Sequence, residues 1–405
     1  MTEIKALAPT RRQLLEFVKS PIRLYRGNQY YVPPLVIDEV ATLNPDKNPA
    51  FDFCRSQCFL AKKEGRTVGR ICAMINDQVN RRTGVQAARF GFFDFIDDKE
   101  VSKALLDAAE KWARSQGMTQ IIGPLGFTDL DREGLLTFGF DELSTMATNY
   151  NFPYYEQHVL DAGYRPDSEW LEFVMDVPDG IPEKMNRVAE IVKRRFGLKV
   201  KKYTDKQALK RDYGRPLFDL INETYDKLYG YSPLTDRQIE AYIKEYLALL
   251  DLDLISLIVD ADDQLVGVGI SMPSLSRGLQ KSRGKLFPTG WIPLLKGLKG
   301  KNDRVDLMLV GIKPEYQGKG VNAMLFQDLI PHYIKRGFKW AESNPELADN
   351  DAVQEQWKYF TARQENLSTL NGYIEEMYSG HDVVRLSRAN EQVKETFGGM
   401  NAVLY

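Results

Sequence analysis

Two stretches of the chain set apolar and β-branched residues on either side of a polar turn, the pattern of a two-stranded hairpin. They are Cys58–Met74 (CFLAKKEGRTVGRICAM), turning at Lys-Glu-Gly, and Leu254–Met272 (LISLIVDADDQLVGVGISM), turning at Asp-Ala-Asp-Asp. After each hairpin and a connection come an apolar strand, an amphipathic helix, a glycine stop and another strand. The first set is Ala88–Ile96, Val101–Gln116, Gly117-Met118 and Thr119–Ile122; the second is Asp306–Ile312, Val321–Arg336, Gly337-Phe338 and Lys339–Glu342. In the second helix Val321, Met324, Leu325, Leu329 and Tyr333 recur at helical spacing, which marks a core-facing stripe, and Gly337 stands where a C-cap ends it. The same order of elements therefore occurs twice, a weak internal repeat.

Val177–Pro182 (VPDGIP) interrupts any periodic element and Glu183–Phe196 opens a new helical pattern. Two mixed α/β units are expected on either side, residues 1–180 and 181–405. The length agrees, because 405 residues with 43% hydrophobic side chains exceed one ordinary core. The 54 basic and 56 acidic side chains are interspersed and sum to a net charge of -2, which gives no overall field for gathering nucleic acid, so DNA is not an expected partner. No apolar run reaches the roughly 18 residues that span a bilayer, and MTEIKALAPTRRQ at the start lacks a secretory core, so a cytoplasmic protein is expected. Cys54, Cys58 and Cys72 are an odd number and fit a reduced compartment. Cys54 and Cys58 lie four apart, but His158, His332 and His381 show no ligand-like spacing, and no metal is expected.

An extra stretch, Ser276–Arg304, carries eight basic residues against the single acid Asp303, together with Phe287, Trp291, Ile292, Leu294 and Leu295. It reads either as a solvated lid or connecting helix, or as a surface for acidic substrate, coenzyme phosphate or membrane headgroups.

The segment richest in chemistry runs from Asp306 to Leu325 (DLMLVGIKPEYQGKGVNAML): an apolar strand, a proline turn, a Gly-x-Gly loop and a helix. Amides at a helix amino terminus lack intrahelical partners and the helix dipole favours anions, while Gly318 and Gly320 let a phosphate approach the main chain. A diphosphate suits such a loop. No Walker-type Gly-Lys-Ser/Thr and no dinucleotide fingerprint accompanies it.

At Gln317-Gly318-Lys319-Gly320-Val321-Asn322 the sequence resembles the coenzyme A loop of the GNAT acetyltransferase superfamily, Gln/Arg-x-x-Gly-x-Gly/Ala, with Asn322 in the last position instead of Gly or Ala. The strand Lys339–Glu342, the Ser343-Asn344-Pro345 turn and a helix at Ala352–Phe360 extend the likeness. As a whole the chain is similar to bacterial tandem GNAT-fold proteins, in which the first half carries Gly123-Pro124, Gly134–Asp141 and Asn151-Phe-Pro-Tyr-Tyr155. The resemblance implies two tandem GNAT-like units of mixed α/β sheet and acetyl-CoA as acyl donor. It assigns the pyrophosphate to amides from Gln317 through Gly318, Lys319, Gly320, Val321 and Asn322 to Ala323, and the pantetheine arm to Val310, Gly311 and Ile312, with Asn344 also on the coenzyme. Gly311 suits a bulge where that strand splays from its neighbour.

In the first half the equivalent loop, Phe92–Glu100, has no Gly-x-Gly and places Asp97, Asp98 and Glu100 at the helix start, where they suit the dipole and repel a diphosphate. The first unit is therefore expected not to bind coenzyme A. Tyr154, Tyr155 and Asn149 there either line a cleft or pack a junction.

Acyl transfer to an amine needs a base, an oxyanion donor and an acid for the departing thiolate. Asp306, eleven residues before Gln317, and Glu342, at the end of a strand, are the candidate bases; amides near Val310–Ile312 are the candidate oxyanion donors. The superfamily often uses a tyrosine as the acid. Here the register match is Trp357, with Tyr359 two residues on as the candidate. The expected reaction is N-acetylation of a small amine or of an amino group on a larger molecule. The alternatives are a Fem-type transferase using aminoacyl-tRNA or a long-chain donor, where RNA or a membrane surface becomes a partner, and a non-catalytic acyl-CoA-binding module.

Overall fold

A computed structural model describes residues 1–226, 228–245, 249–350, 354, 357 and 360–374. Contacts divide the chain into two compact units. The first takes Met1–Leu171, Leu275–Leu294 and residues 366–374; the second takes Glu172–Ser274 and the described part of 295–365.

The first unit contains strands β1 (Glu3–Ala6), β2 (Cys54–Lys63), β3 (Arg66–Asn76), β4 (Ala87–Phe95), β5 (Gln120–Gly123) and β6 (Leu135–Phe138). Its helices are α1 (Arg11–Leu24), α2 (Val36–Thr42), α3 (Asp77–Thr83), α4 (Lys99–Ser115) and α5 (Tyr154–Asp161). Strand β7 (Arg165–Asp176) leads into the second unit, with α6 (Glu183–Phe196), β8 (Lys199–Lys201), α7 (Lys206–Tyr225), α8 (Asp236–Glu245), β9 (Ile255–Val259) and β10 (Leu265–Pro273). Helices α9 (Ser276–Ser282) and α10 (Trp291–Lys299) follow, then β11 (Arg304–Ile312), α11 (Asn322–Arg336), β12 (Trp340–Ser343), β13 (Glu346–Leu347) and β14 (Ala362–Ile374).

Each unit builds the same mixed sheet. In the first, β1-β2-β3-β4-β5 are neighbours, antiparallel except for the parallel pair β4/β5, and residues 371–374 of β14 pair with β5. In the second, β8-β9-β10-β11-β12 repeat the order, antiparallel except for β11/β12, and Val174–Asp176 of β7 pair with β12. The expected internal repeat is thus a repeat of topology.

Strands β3, β4, β9 and β10 are buried on both faces, so their apolar runs are nearly continuous. In β3, Ile71, Ala73 and Ile75 meet Val101, Leu105, Leu106 and Ala109 of α4, while Cys72 and Met74 meet Leu14, Phe17 and Val18 of α1. In the second unit Ile258 and Val266 meet Met324 and Leu325 of α11 and Met185, Ala189 and Val192 of α6. Leu257 and Val268 instead meet Leu217, Leu220 and Ile221 of α7. The first hairpin turns through Glu64 and Gly65, both at positive φ (51° and 73°), the backbone a tight two-residue turn requires.

The division falls at Leu171/Glu172, ahead of the break expected at Val177–Pro182, because β7 runs on through Asp176 as a partner of β12. Residues 275–294, taken in the sequence reading as part of the second unit, pack in the first: Leu279 and Leu294 bury against Val32, the Val36 amide donates to the Gly284 carbonyl at 2.8 Å, and Gln280 Nε2 donates to the carbonyls of Gln29 and Tyr31. The helix expected at Ala352–Phe360 lies almost wholly outside the described residues. Among the described residues no helix is long and apolar enough to cross a membrane.

Candidate acyl-transfer site

Strand β11 pairs with β10 from Val305 to Ile312, passing over Met308, but with β12 only from Arg304↔Trp340 to Leu307↔Ser343. Beyond Leu307 the two parallel strands part, and a five-residue edge from Met308 to Ile312 has no β12 partner. The register against β10 shifts between Ile270 and Ser271, which leaves Met308 as the extra residue of a bulge at the point of divergence. The bulge expected at Gly311 is therefore three residues earlier; Gly311 keeps regular register with Val268, and a Cβ there would meet Thr224 Oγ1 of α7 at 3.3 Å. Asn344 Nδ2 donates to the Met308 carbonyl at 2.6 Å, and the Tyr225 hydroxyl donates to the Val310 carbonyl at 3.0 Å.

Ile312 enters a short turn at Pro314–Tyr316 that Gln317 braces by donating from Nε2 to the Ile312 carbonyl at 2.9 Å. Gly318 (φ 71°) and Gly320 (φ 80°) then swing the chain into α11. The Lys319 amide donates to the Tyr316 carbonyl and the Ala323 amide to the Gly320 carbonyl, and Asn322 Oδ1 also accepts from the Ala323 amide. The amides of Gly318 and Gly320 donate to nothing among the described residues. Positive charge gathers beside this turn: Lys319 Nζ and the Arg195 guanidinium both lie over the Phe196 ring, at 5.5 and 5.3 Å from its centroid. Phe196 and Arg195 belong to the last turn of α6, whose Val188 and Val192 pack on Gly320.

Asp306 and Glu342 are register partners on β11 and β12, each about 2% exposed or less. Their neighbours Val305, Leu307 and Ala341 pack with Leu329 and Tyr333 of α11, so by the alternation of a strand both carboxylates face the other side of the sheet. Arg304 Nη1 meets Glu342 Oε2 at 2.8 Å. The two candidate bases thus form one buried acidic group with a guanidinium on it.

Tyr359, the candidate acid, lies outside the described residues. Trp357 is buried and its indole N–H donates to both carboxylate oxygens of Glu346, at 2.9 and 3.2 Å. Burial pushes the Glu346 carboxyl up to about 8, against the opposing hydrogen bonds from Ser343 and Trp357. Glu346 carries no local sequence signal, since its environment is made by an indole eleven residues away.

The corresponding parting in the first unit is filled by the chain itself. After Arg89↔Ile122 the chain turns through Gly123-Pro124, and the Leu125 amide donates to the Phe90 carbonyl at 2.7 Å. Gly91 lies too close to the Leu125 carbonyl for any Cβ. At the start of α4 the Asp98 side chain caps the Glu100 amide, and Lys63 Nζ bridges Asp98 and Glu100 at 2.6 and 2.8 Å. Tyr155 is core: its hydroxyl meets that of Tyr25 at 2.8 Å and accepts from the Phe95 amide. Tyr154 donates to the Phe95 carbonyl and Asn149 Nδ2 to the Gly134 carbonyl. These bonds favour packing over a cleft. A buried polar group unforeseen in the sequence lies close by: Arg70 Nε meets Asp94 at 2.7 Å, Arg70 Nη1 meets Glu39 at 3.3 Å, and Tyr25 donates to Asp94.

No family model matches the chain. It is 28% identical over 335 residues to Protein YghO of Escherichia coli strain K12, spanning 80% of this chain and 84% of that protein. It is 29% identical over 321 residues to the bacterial ceramide synthase of Caulobacter vibrioides, spanning 78% and 82%. Among solved structures, a tandem GNAT protein from the clavulanic acid biosynthesis pathway superposes with a TM-score of 0.56 at 12% identity, over 94% of this chain and all of the other.

Proposed function

Starting from a chain of tandem GNAT fold, we propose that it is an acyl-CoA-dependent N-acyltransferase that carries its donor in the second unit and uses a primary amine as acceptor. The observation that carries this reading is the parting of β11 from β12 directly ahead of a Gly318/Gly320 turn with undirected amides and a basic flank. An elongated thioester laid along the 308–312 edge meets backbone groups, and a diphosphate at the turn meets amides and the positive end of α11. Acetyl-CoA is the donor that the loop pattern suggests. The likeness to a protein named bacterial ceramide synthase supports a longer acyl chain and a long-chain amino alcohol as acceptor, since a ceramide is the amide of such an amine.

In the chemistry, the amine nitrogen attacks the thioester carbonyl and the C–S bond breaks. The Asp306–Glu342 pair takes the proton from nitrogen, with Arg304 fixing one oxygen of Glu342. Glu346, two residues beyond the Asn344 that holds the Met308 carbonyl, returns a proton to the thiolate, burial having raised its carboxyl to about 8. The first unit we read as free of coenzyme, because Leu125 occupies the place beside Phe90 and carboxylates occupy the start of α4.

Calorimetric titration with acetyl-CoA and with longer acyl-CoAs tests the reading. Gly320→Glu is a poor control, since Cβ alone would meet Val188 at 2.8 Å. Asn322→Asp is better: it is nearly isosteric, a carboxylate suits the first turn of α11, and it sets a negative charge where the diphosphate would lie. Affinity is expected to fall about tenfold or more, as for a like charge at close range. Undiminished affinity in the variant would remove the donor from this loop.

A further inference from the structure

The segment between β10 and β11 presents large apolar side chains outward as well as inward. Helix α10 buries Leu294 against Leu279 and Val32, yet around the rest of its circumference it exposes Trp291 (45%), Ile292 (37%) and Leu295 (41%), and the turn before it exposes Phe287 (70%). A water-facing helix normally shows the reverse. Trp291 is held in place, its indole N–H donating to the Pro288 carbonyl at 3.0 Å. Lys296 and Lys299 stand on the same outward side of the helix, and Arg283 and Lys285 on the turn; all four are exposed and form no ion pair among the described residues.

We infer that this turn and helix form a docking surface for an anionic lipid bilayer, with Phe287, Trp291, Ile292 and Leu295 in the headgroup–acyl boundary and the basic side chains on lipid phosphates. An aromatic-aliphatic cluster rimmed by cations is the composition of interfacial helices, and tryptophan suits a boundary that is apolar on one side and wet on the other. A nucleic acid would use the cations and leave the aliphatic side chains in water; a bilayer uses both. The helix has nine residues, too few to enter the hydrocarbon core as a span, so it lies on the surface.

The test is co-sedimentation of the full chain, without any coenzyme, with vesicles of phosphatidylcholine and with vesicles of phosphatidylcholine and phosphatidylglycerol. Only the mixed vesicles are expected to bring the protein down, and less so as salt is raised. Lys296→Gln with Lys299→Gln should weaken partition by about twenty-five-fold, at about fivefold per lysine. Phe287→Ser with Leu295→Ser should weaken it comparably at unchanged lysine content, and both pairs should leave the thermal midpoint unchanged because the side chains are exposed. Failure of the native protein to bind mixed vesicles, or equal binding by both variants, overturns the inference. So does a native dimer that Phe287→Ser with Leu295→Ser splits in light scattering, which would give the surface to a second copy, and so does RNA binding lost with the lysines while vesicles are ignored. Acyl transfer itself enters none of these readouts.

Discussion

Glu346 is a carboxyl whose properties come from its burial in the fold. Burial holds it at about 8, well above the ordinary carboxylate range, against the downward pull of the hydrogen bonds from Ser343 and the Trp357 indole. Between roughly 4.3, where a free glutamate titrates, and 8 the folded chain keeps a proton that the unfolded chain has lost, so this group makes stability fall as pH rises across that window. Glu346→Gln is expected to flatten that part of a plot of thermal midpoint against pH and to lower turnover of any acyl donor; an unchanged slope would mean that Glu346 is not held protonated. Asp306 and Glu342 were legible as strand residues of chemical interest. Their meeting was not, because it depends on the parallel register of β11 and β12, which no local pattern encodes. The Arg70–Asp94–Glu39 group escaped for the same reason: two strands and a helix, β3, β4 and α2, bring it together.

At the scale of elements, alternation and helical periodicity gave both hairpins, both strand–helix–strand sets and the exact span of α6. What they do not encode is which helix covers which turn. Helix α6 packs on the Gly320 turn, so that glycine answers to two constraints, a φ of 80° and a neighbour, whereas Gly337 at the end of α11 has a φ of 75° and open space around it. Gly337→Ala should therefore cost only about 1–2 kcal/mol of left-handed strain. Gly320→Ala should cost measurably more in urea unfolding, since Val188 must also move. Equal losses would show that α6 yields without resistance.

For the whole molecule, chain order and compact unit do not coincide. The first unit includes Leu275–Leu294, which cover Val32, and residues 366–374, which pair with β5 and β6. A fragment of residues 1–180, the unit expected from sequence, lacks both. Expressed alone it is expected to aggregate or to give a broad, non-cooperative thermal transition by circular dichroism; a sharp transition like that of the intact chain would show those segments to be dispensable. The interleaving also sets a clock on synthesis. A ribosome adding about 5–20 residues per second takes roughly 10–40 s to go from Leu171 to the end of β14, and for that interval β5 and β6 wait on the nascent chain with their edges open. Chaperone demand during translation is thereby written into the order in which this chain delivers its strands.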